Sequence, residues 1–161
     1  MTISPQVEWL NGYMLDTTEI NAVVKGTLPI SAIHGRLVFV THVQLDEINK
    51  TPCEEKRAEL QSAFKNIAPE HLATETFIVG VSQCGAARLS DGSTFAAMLA
   101  RHKALNKSSK RRLISQTCDI LIAETAIRNK LTLVSGDATL RQVTIEFGGQ
   151  AIDREHFMSA I

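Results

Sequence analysis

Leu131-Thr132-Leu133-Val134-Ser135-Gly136-Asp137 is the stretch on which the fold turns. Its first four residues are apolar or β-branched, as a short strand buried on both faces requires. Ser135-Gly136 ends the run, and Asp137 stands where a helix over 138–147 begins and Gly148-Gly149 ends it. The same order recurs at the start of the chain. Tyr13-Met14-Leu15 is followed by Asp16, by Thr17-Thr18 as N-cap candidates, and by a helical stretch to Lys25 that Gly26 can terminate. Between these two copies, Leu37-Val38-Phe39-Val40 predicts a second strand, 43–49 one or two helical turns, and 52–68 an amphipathic helix with Leu60, Phe64 and Ile67 on one face. Phe77-Ile78-Val79-Gly80-Val81 predicts a third strand. A helix over 94–105, capped by Ser93 or Thr94, and a longer one over 109–129 then lead to the strand at 131–134. Strands separated by helices make βαβ units, so the fold class is α/β, with a central parallel sheet and helices on both faces.

Composition bounds the rest. At 161 residues and 17.7 kDa the chain fits one domain spanning 1–161, and 44% hydrophobic with 21% charged residues is ordinary for a globular core. The longest apolar run, Phe95-Ala96-Ala97-Met98-Leu99-Ala100, is far below the ~18 residues of a membrane span. The first ten residues carry Pro5 and Glu8 and no basic stretch leading into an apolar one, so a secretory signal is absent and a cytoplasmic protein is expected. Cys53, Cys84 and Cys118 match no disulfide framework and no zinc spacing, and read as reduced core or boundary thiols.

Four carboxylates stand out by position. Asp16 and Asp137 directly follow strands, and ligands of open parallel sheets bind beyond the carboxyl ends of the strands. Glu47, in Gln44-Leu45-Asp46-Glu47-Ile48, lies seven residues after the second strand, and Asp119 interrupts the apolar helical sequence Thr117-Cys118-Asp119-Ile120-Leu121-Ile122-Ala123. Each has an ordinary alternative: Asp16 and Asp137 are natural helix caps, Glu47 has Asp46 beside it, and an amphipathic helix would expose Asp119. One sheet topology nevertheless allows all four to converge. Convergent carboxylates repel one another unless cations enter, and a site of oxygen donors without Cys or His suits Mg²⁺ or Mn²⁺. Such ions support hydrolysis of phosphodiesters.

At these residues the chain resembles the PIN-domain ribonucleases, in particular bacterial toxin nucleases of the VapC type. The matching segments are Met14-Leu15-Asp16-Thr17-Thr18, the stretch 43–48 with Glu47, Cys118-Asp119-Ile120-Leu121-Ile122-Ala123-Glu124-Thr125-Ala126, and Leu131 to Asp137, together covering about 13–152 with short extensions at both ends. The resemblance implies a Mg²⁺- or Mn²⁺-dependent endoribonuclease whose catalytic and metal-holding acids are Asp16, Glu47, Asp119 and Asp137. Thr18 and Ser135 fall on its supporting polar positions, and Glu124 is a secondary candidate. It also implies an RNA substrate, a small antitoxin partner and, in many relatives, a homodimer. A PIN-like scaffold that binds RNA or protein without cutting is the alternative.

The zero net charge, 17 Lys and Arg against 17 Asp and Glu, hides a division. Residues 1–80 hold 6 basic and 10 acidic side chains, a net of −4, and 81–161 hold 11 and 7, a net of +4. Arg101, Lys103, Lys107, Lys110, Arg111 and Arg112 form a cationic segment just ahead of Asp119, suited to holding RNA phosphates or, more blandly, a solvated connection between helices. The few aromatics show no stacking pattern. No nucleophile elbow, phosphate-binding glycine loop or histidine metal spacing is present. A phosphoacceptor receiver domain would need an Asp after a middle strand and a Lys after a late one, and Val81-Ser82 and Val134-Ser135-Gly136 supply neither.

Overall fold

The computed structural model describes residues 11–106 and 113–160. Among these, β1 (Gly12–Leu15), β2 (Leu37–Val40), β3 (Glu70–His71), β4 (Thr132–Val134) and β5 (Gln150–Ile152) form one all-parallel sheet in the order β3-β2-β1-β4-β5. The helices are α1 (Thr17–Val24), α2 (Ile30–Ile33), α3 (His42–Asn49), α4 (Glu54–Ile67), α5 (Ser93–Leu105), α6 (Leu113–Arg128), α7 (Ala138–Glu146) and α8 (Arg154–Ser159).

The two-residue period of the strands divides the core. Met14 pairs in register with Leu133, and both enter the apolar cluster built with Phe95 and Met98 of α5, Ile120 to Ala123 of α6, and Leu140 and Val143 of α7. Leu15 pairs with Val134, and these point into the opposite cluster with Ile20 of α1, Leu60 and Phe64 of α4, and Phe157 of α8. Helices therefore cover both faces, as the sequence predicts. Leu60, Phe64 and Ile67 are all buried along α4.

Phe77-Ile78-Val79-Gly80-Val81 is not a strand. Gly80 has φ +84°, the amides of Val81 and Ser82 donate to the carbonyl of Ile78, and the Ser82 hydroxyl accepts from the Ile78 amide. The run is thus a turn that lays Ile78 and Val81 against the first cluster and leaves Val79 89% exposed. The third strand is instead the exposed pair Glu70–His71 on the sheet edge. Caps also differ from expectation. Asp16, rather than Thr17 or Thr18, caps α1, and Gly92, not Ser93 or Thr94, precedes α5, where Asp91 accepts from the Ser93 amide and hydroxyl.

Gly148 and Gly149 end α7 by different means. Gly148 takes φ +85°, whereas Gly149 is a close approach: a Cβ there would lie 2.6 Å from Ile127 Cγ1 and 2.9 Å from the Thr144 carbonyl oxygen. Backbone cannot yield as a side-chain tip can. Gly149→Ala is expected to cost about 1–3 kcal/mol and lower the melting temperature by several degrees, read by differential scanning calorimetry.

Candidate active site

Strand order reverses between β1, which leads to β2 and β3, and β4, which leads to β5. A crevice at the carboxyl ends of β1 and β4 follows from that reversal, and it is where parallel sheets place ligands. The Asp16 amide donates to the Val134 carbonyl at 3.1 Å, extending the β1–β4 pairing one residue into the crevice. Asp16 is 2% exposed. Its Oδ1 accepts from the Thr17 amide at 2.7 Å, and its Oδ2 from the hydroxyls of Thr18 at 3.0 Å and Ser135 at 2.8 Å. Burial raises its pKa, the hydrogen bonds from Ser135, Thr18 and Thr17 work against that, and the Glu19 carboxylate adds to the rise. Thr18 and Ser135, the two hydroxyls expected at supporting positions, both donate to Asp16.

Glu47 is delivered by α3. Thr41 and Gln44 form a capping box there, and the buried Gln44 amide also donates to the Leu15 carbonyl at 2.8 Å, tying the start of α3 to the end of β1. One turn later, Glu47 Oε2 accepts from the Thr17 hydroxyl. Neighbouring Asp46 faces elsewhere, between His42 Nδ1 at 2.9 Å and the Gln83 amide at 2.6 Å. This separates the two acids that the sequence left side by side.

Asp119 comes from α6, a helix buried almost all round. From Gln116 to Ala126 every residue is buried except Asp119, which is half-buried. Asp16, Thr17, Thr18, Asn21, Glu47, Lys56, Ser115 and Asp119 line one cleft of about 330 Å³. Three of the four expected acids therefore share a cavity. A larger groove of about 940 Å³ lies at the far end of α1, among Val24, Leu28, Pro29 and Ala63, away from all four.

Asp137 does not line that cleft. It caps α7, its Oδ1 accepting from the amides of Thr139 at 2.9 Å and Leu140 at 3.2 Å, and its own amide donates to Ser135 Oγ at 3.1 Å. Ser135 thus bridges Asp16 and the Asp137 loop. Asp137 meets Asp119 by another route: one ligand atom each from Asp119, Asp137 and His102 all lie within 4.8 Å of one another. The four acids form two overlapping sets with Asp119 in both. Fully buried His102 of α5 thus sets a ring nitrogen beside these carboxylates, a group that the oxygen-only reading of the sequence did not include.

Glu124 stands apart. Five residues along a helix is about 140° of rotation and ~7.5 Å of rise. It is accordingly 2% exposed in a separate pocket with Glu75, Asp91 and Arg128, where burial raises its pKa. Of the cationic segment, Lys107, Lys110, Arg111 and Arg112 lie outside the described residues, as does the start of the expected helix over 109–129. Lys103 is exposed. Arg101 is engaged by α7, with Nε at 2.7 Å and Nη2 at 3.0 Å from the Glu146 carboxylate, which is held down to a pKa of about 2 chiefly by the Arg101 hydrogen bond. Stability from that pair is present above the ordinary Glu pKa near 4.5 and is lost as pH falls toward 2.

Sequence reasoning missed Glu19, His102 and Lys56. Glu19 is fully buried and carries a bidentate pair from Arg154, Nε to Oε2 at 2.8 Å and Nη2 to Oε1 at 3.3 Å. The carboxylates of the cleft are felt by Cys118 too: burial first, then Glu47 and Asp119, push its thiol up to about 12. Cys53 and Cys84 are exposed rather than in the core. A disulfide exchange reagent at pH 8 is expected to titrate two thiols in the native protein and a third only on unfolding.

No protein-family model and no curated protein sequence matches this chain. Among solved structures it is similar to the crystal structure of FitAcB from Neisseria gonorrhoeae, with a TM-score of 0.40 and 16% identity over 89% of this chain and 99% of that one. A likeness at that level transfers neither residue roles nor activity. Among the described residues no helix is long and apolar enough to cross a membrane.

Proposed function

We propose that this protein is a divalent-metal-dependent endoribonuclease of PIN-like type. The observation that carries the reading is the convergence of Asp16, Glu47 and Asp119 on one cleft at the β1–β4 reversal, with Asp137 joined to it through Asp119 and Ser135. A buried carboxylate whose pKa is raised by burial and by a neighbouring acid is a costly arrangement without a cation, and hard donors in this number fit Mg²⁺ or Mn²⁺. Asp16, Glu47, Asp119 and Asp137 would hold the ion, which when bound supplies an activated water and neutralises phosphate charge. Thr18 and Ser135 orient Asp16, and Thr17 orients Glu47. Lys56, on the cleft wall, and exposed Lys103 offer contacts to RNA phosphates. The segment resemblance further supports a small antitoxin protein as partner and a homodimer as assembly.

Incubation of the purified protein with total RNA and Mn²⁺, followed by mapping of cut ends, tests the reading. Discrete internal cuts that EDTA abolishes support it. Binding to RNA without any cut makes the protein a binding module instead. Metal binding has its own signature. Because the folded pKa of Asp16 lies above its unfolded value, the metal-free protein loses stability as pH rises from about 3.8 through that raised pKa. Mn²⁺ at ~100 times its Kd at pH 8 is therefore expected to raise the melting temperature by about 5–10 °C, and the same concentration by less at lower pH, where protons compete for the carboxylates.

A further inference from the structure

His102 sits where the proposed cation would be held, on α5 and fully buried, with one ring nitrogen and one carboxylate oxygen from each of Asp119 and Asp137 mutually within 4.8 Å. Helices α5 and α6 and the loop that caps α7 supply these groups, so their approach is a property of the tertiary packing and not of one helix face. The side-chain amide of Asn106, one turn further along α5, lies 3.2 Å from His102 Nε2 and 3.5 Å from Nδ1. Six-coordinate first-row ions with ligands at ~2.1 Å place donors about 3 Å apart in cis and about 4.2 Å in trans, so binding would draw the three groups together from their 4.8 Å limit.

Resting on the metal-site reading above, we propose that His102 is a ligand of the site. Its imidazole joins Asp119 and Asp137 to make a one-nitrogen, two-carboxylate set that prefers a borderline first-row ion such as Mn²⁺ over Mg²⁺. A neutral imidazole binds Mg²⁺ poorly, since that ion favours oxygen and keeps its waters, whereas Mn²⁺ accepts both donor types. Asp16 and Glu47, which share the cleft with Asp119, are left to complete the coordination from there.

Mn²⁺ itself is the probe. Pulsed electron paramagnetic resonance of the full chain with one equivalent of Mn²⁺ is expected to show modulation from a directly bound ¹⁴N nucleus, converted to the ¹⁵N pattern when the histidines are ¹⁵N-labelled. In His102→Gln the modulation is expected to vanish and Mn²⁺ affinity to fall ~10–100-fold, with Mg²⁺ affinity changed less than about threefold. Mn²⁺ bound without nitrogen modulation, or modulation that persists in His102→Gln, overturns the role of His102 while the carboxylate site stands. No Mn²⁺ binding at millimolar concentration overturns both. Should His102→Gln fail to fold, a labelled chain with His34, His42, His71 and His156 changed to Gln leaves His102 as the one histidine, and ¹⁵N modulation there supports its role while absence of modulation overturns it.

Discussion

Asp16→Asn is expected to reduce metal-dependent RNA cleavage by about 10²–10³-fold while the chain stays folded. The loss follows from removing the one carboxylate fixed by three hydrogen bonds at the β1–β4 reversal, since preorganised charge aimed at a reacting centre is worth that much when deleted. Folding survives for two reasons. Asn is as good an N-cap as Asp, so the bond from the Thr17 amide at the head of α1 is retained. Burial, moreover, penalises the ionised form of Asp16, a cost that a neutral amide does not carry. The melting temperature without metal is therefore expected to hold or rise, and the Mn²⁺-induced increase to shrink. Calorimetry with and without Mn²⁺, beside a single-turnover cleavage assay, measures both. A variant that melts far below wild type, or that cuts at the wild-type rate, contradicts the role assigned to Asp16.

Arg154→Ala is expected to be the most destabilising change considered, by about 3–5 kcal/mol, because it leaves a fully buried carboxylate without its counter-charge. The pair joins α1 to α8, and Arg154 Nη1 also lies 3.3 Å from the Thr27 hydroxyl. Glu19 lies against Gly136 as well, its Oε1 3.6 Å from where a Cβ would stand, so losing Arg154 puts an unpaired negative charge beside the loop that carries Asp137 and next to Asp16. The double variant Glu19→Gln with Arg154→Leu is expected to recover most of the loss, since removing both charges removes the unmatched burial. Denaturant unfolding of the single and double variants checks this. Equal destabilisation in both would mean that packing, not the ion pair, holds α8 in place.

Much of this architecture is legible in the sequence where hydrophobic pattern decides it. β1, β2 and β4 are short runs buried on both faces, and α4 announces its buried face by spacing. Pattern fails where an element has no apolar signature: Glu70–His71 is an exposed edge pair that owes its strand to backbone bonds with β2, including the Leu72 amide to the Val40 carbonyl at 2.8 Å. It fails in the opposite sense at Phe77 to Val81, where apolar residues cover a core from a turn.

The site divides along the same line. Asp16, Glu47, Asp119 and Asp137 were legible because their places relative to strands and an apolar helix are local facts, and topology does the rest. Glu19 reads as a solvated residue of a first helical turn until Arg154, 135 positions on, closes over it. His102 reads as an interruption of a basic run without metal spacing, since nothing local shows that α5 turns it inward among the helices it packs on. Arg101, its neighbour, points outward to Glu146 and is engaged there.

Asp119 belongs to both acid sets, so it offers the most direct test of whether they work as one metal-dependent site. The measurement is the rate of cleavage of a mapped RNA by wild type and by Asp119→Asn as Mn²⁺ is titrated against EDTA. The predicted result is cleavage that appears with Mn²⁺, disappears with EDTA, and falls about 100-fold or more in the variant while its fold persists. Cleavage that ignores the metal, or an Asp119→Asn protein that cuts at the wild-type rate, would contradict it.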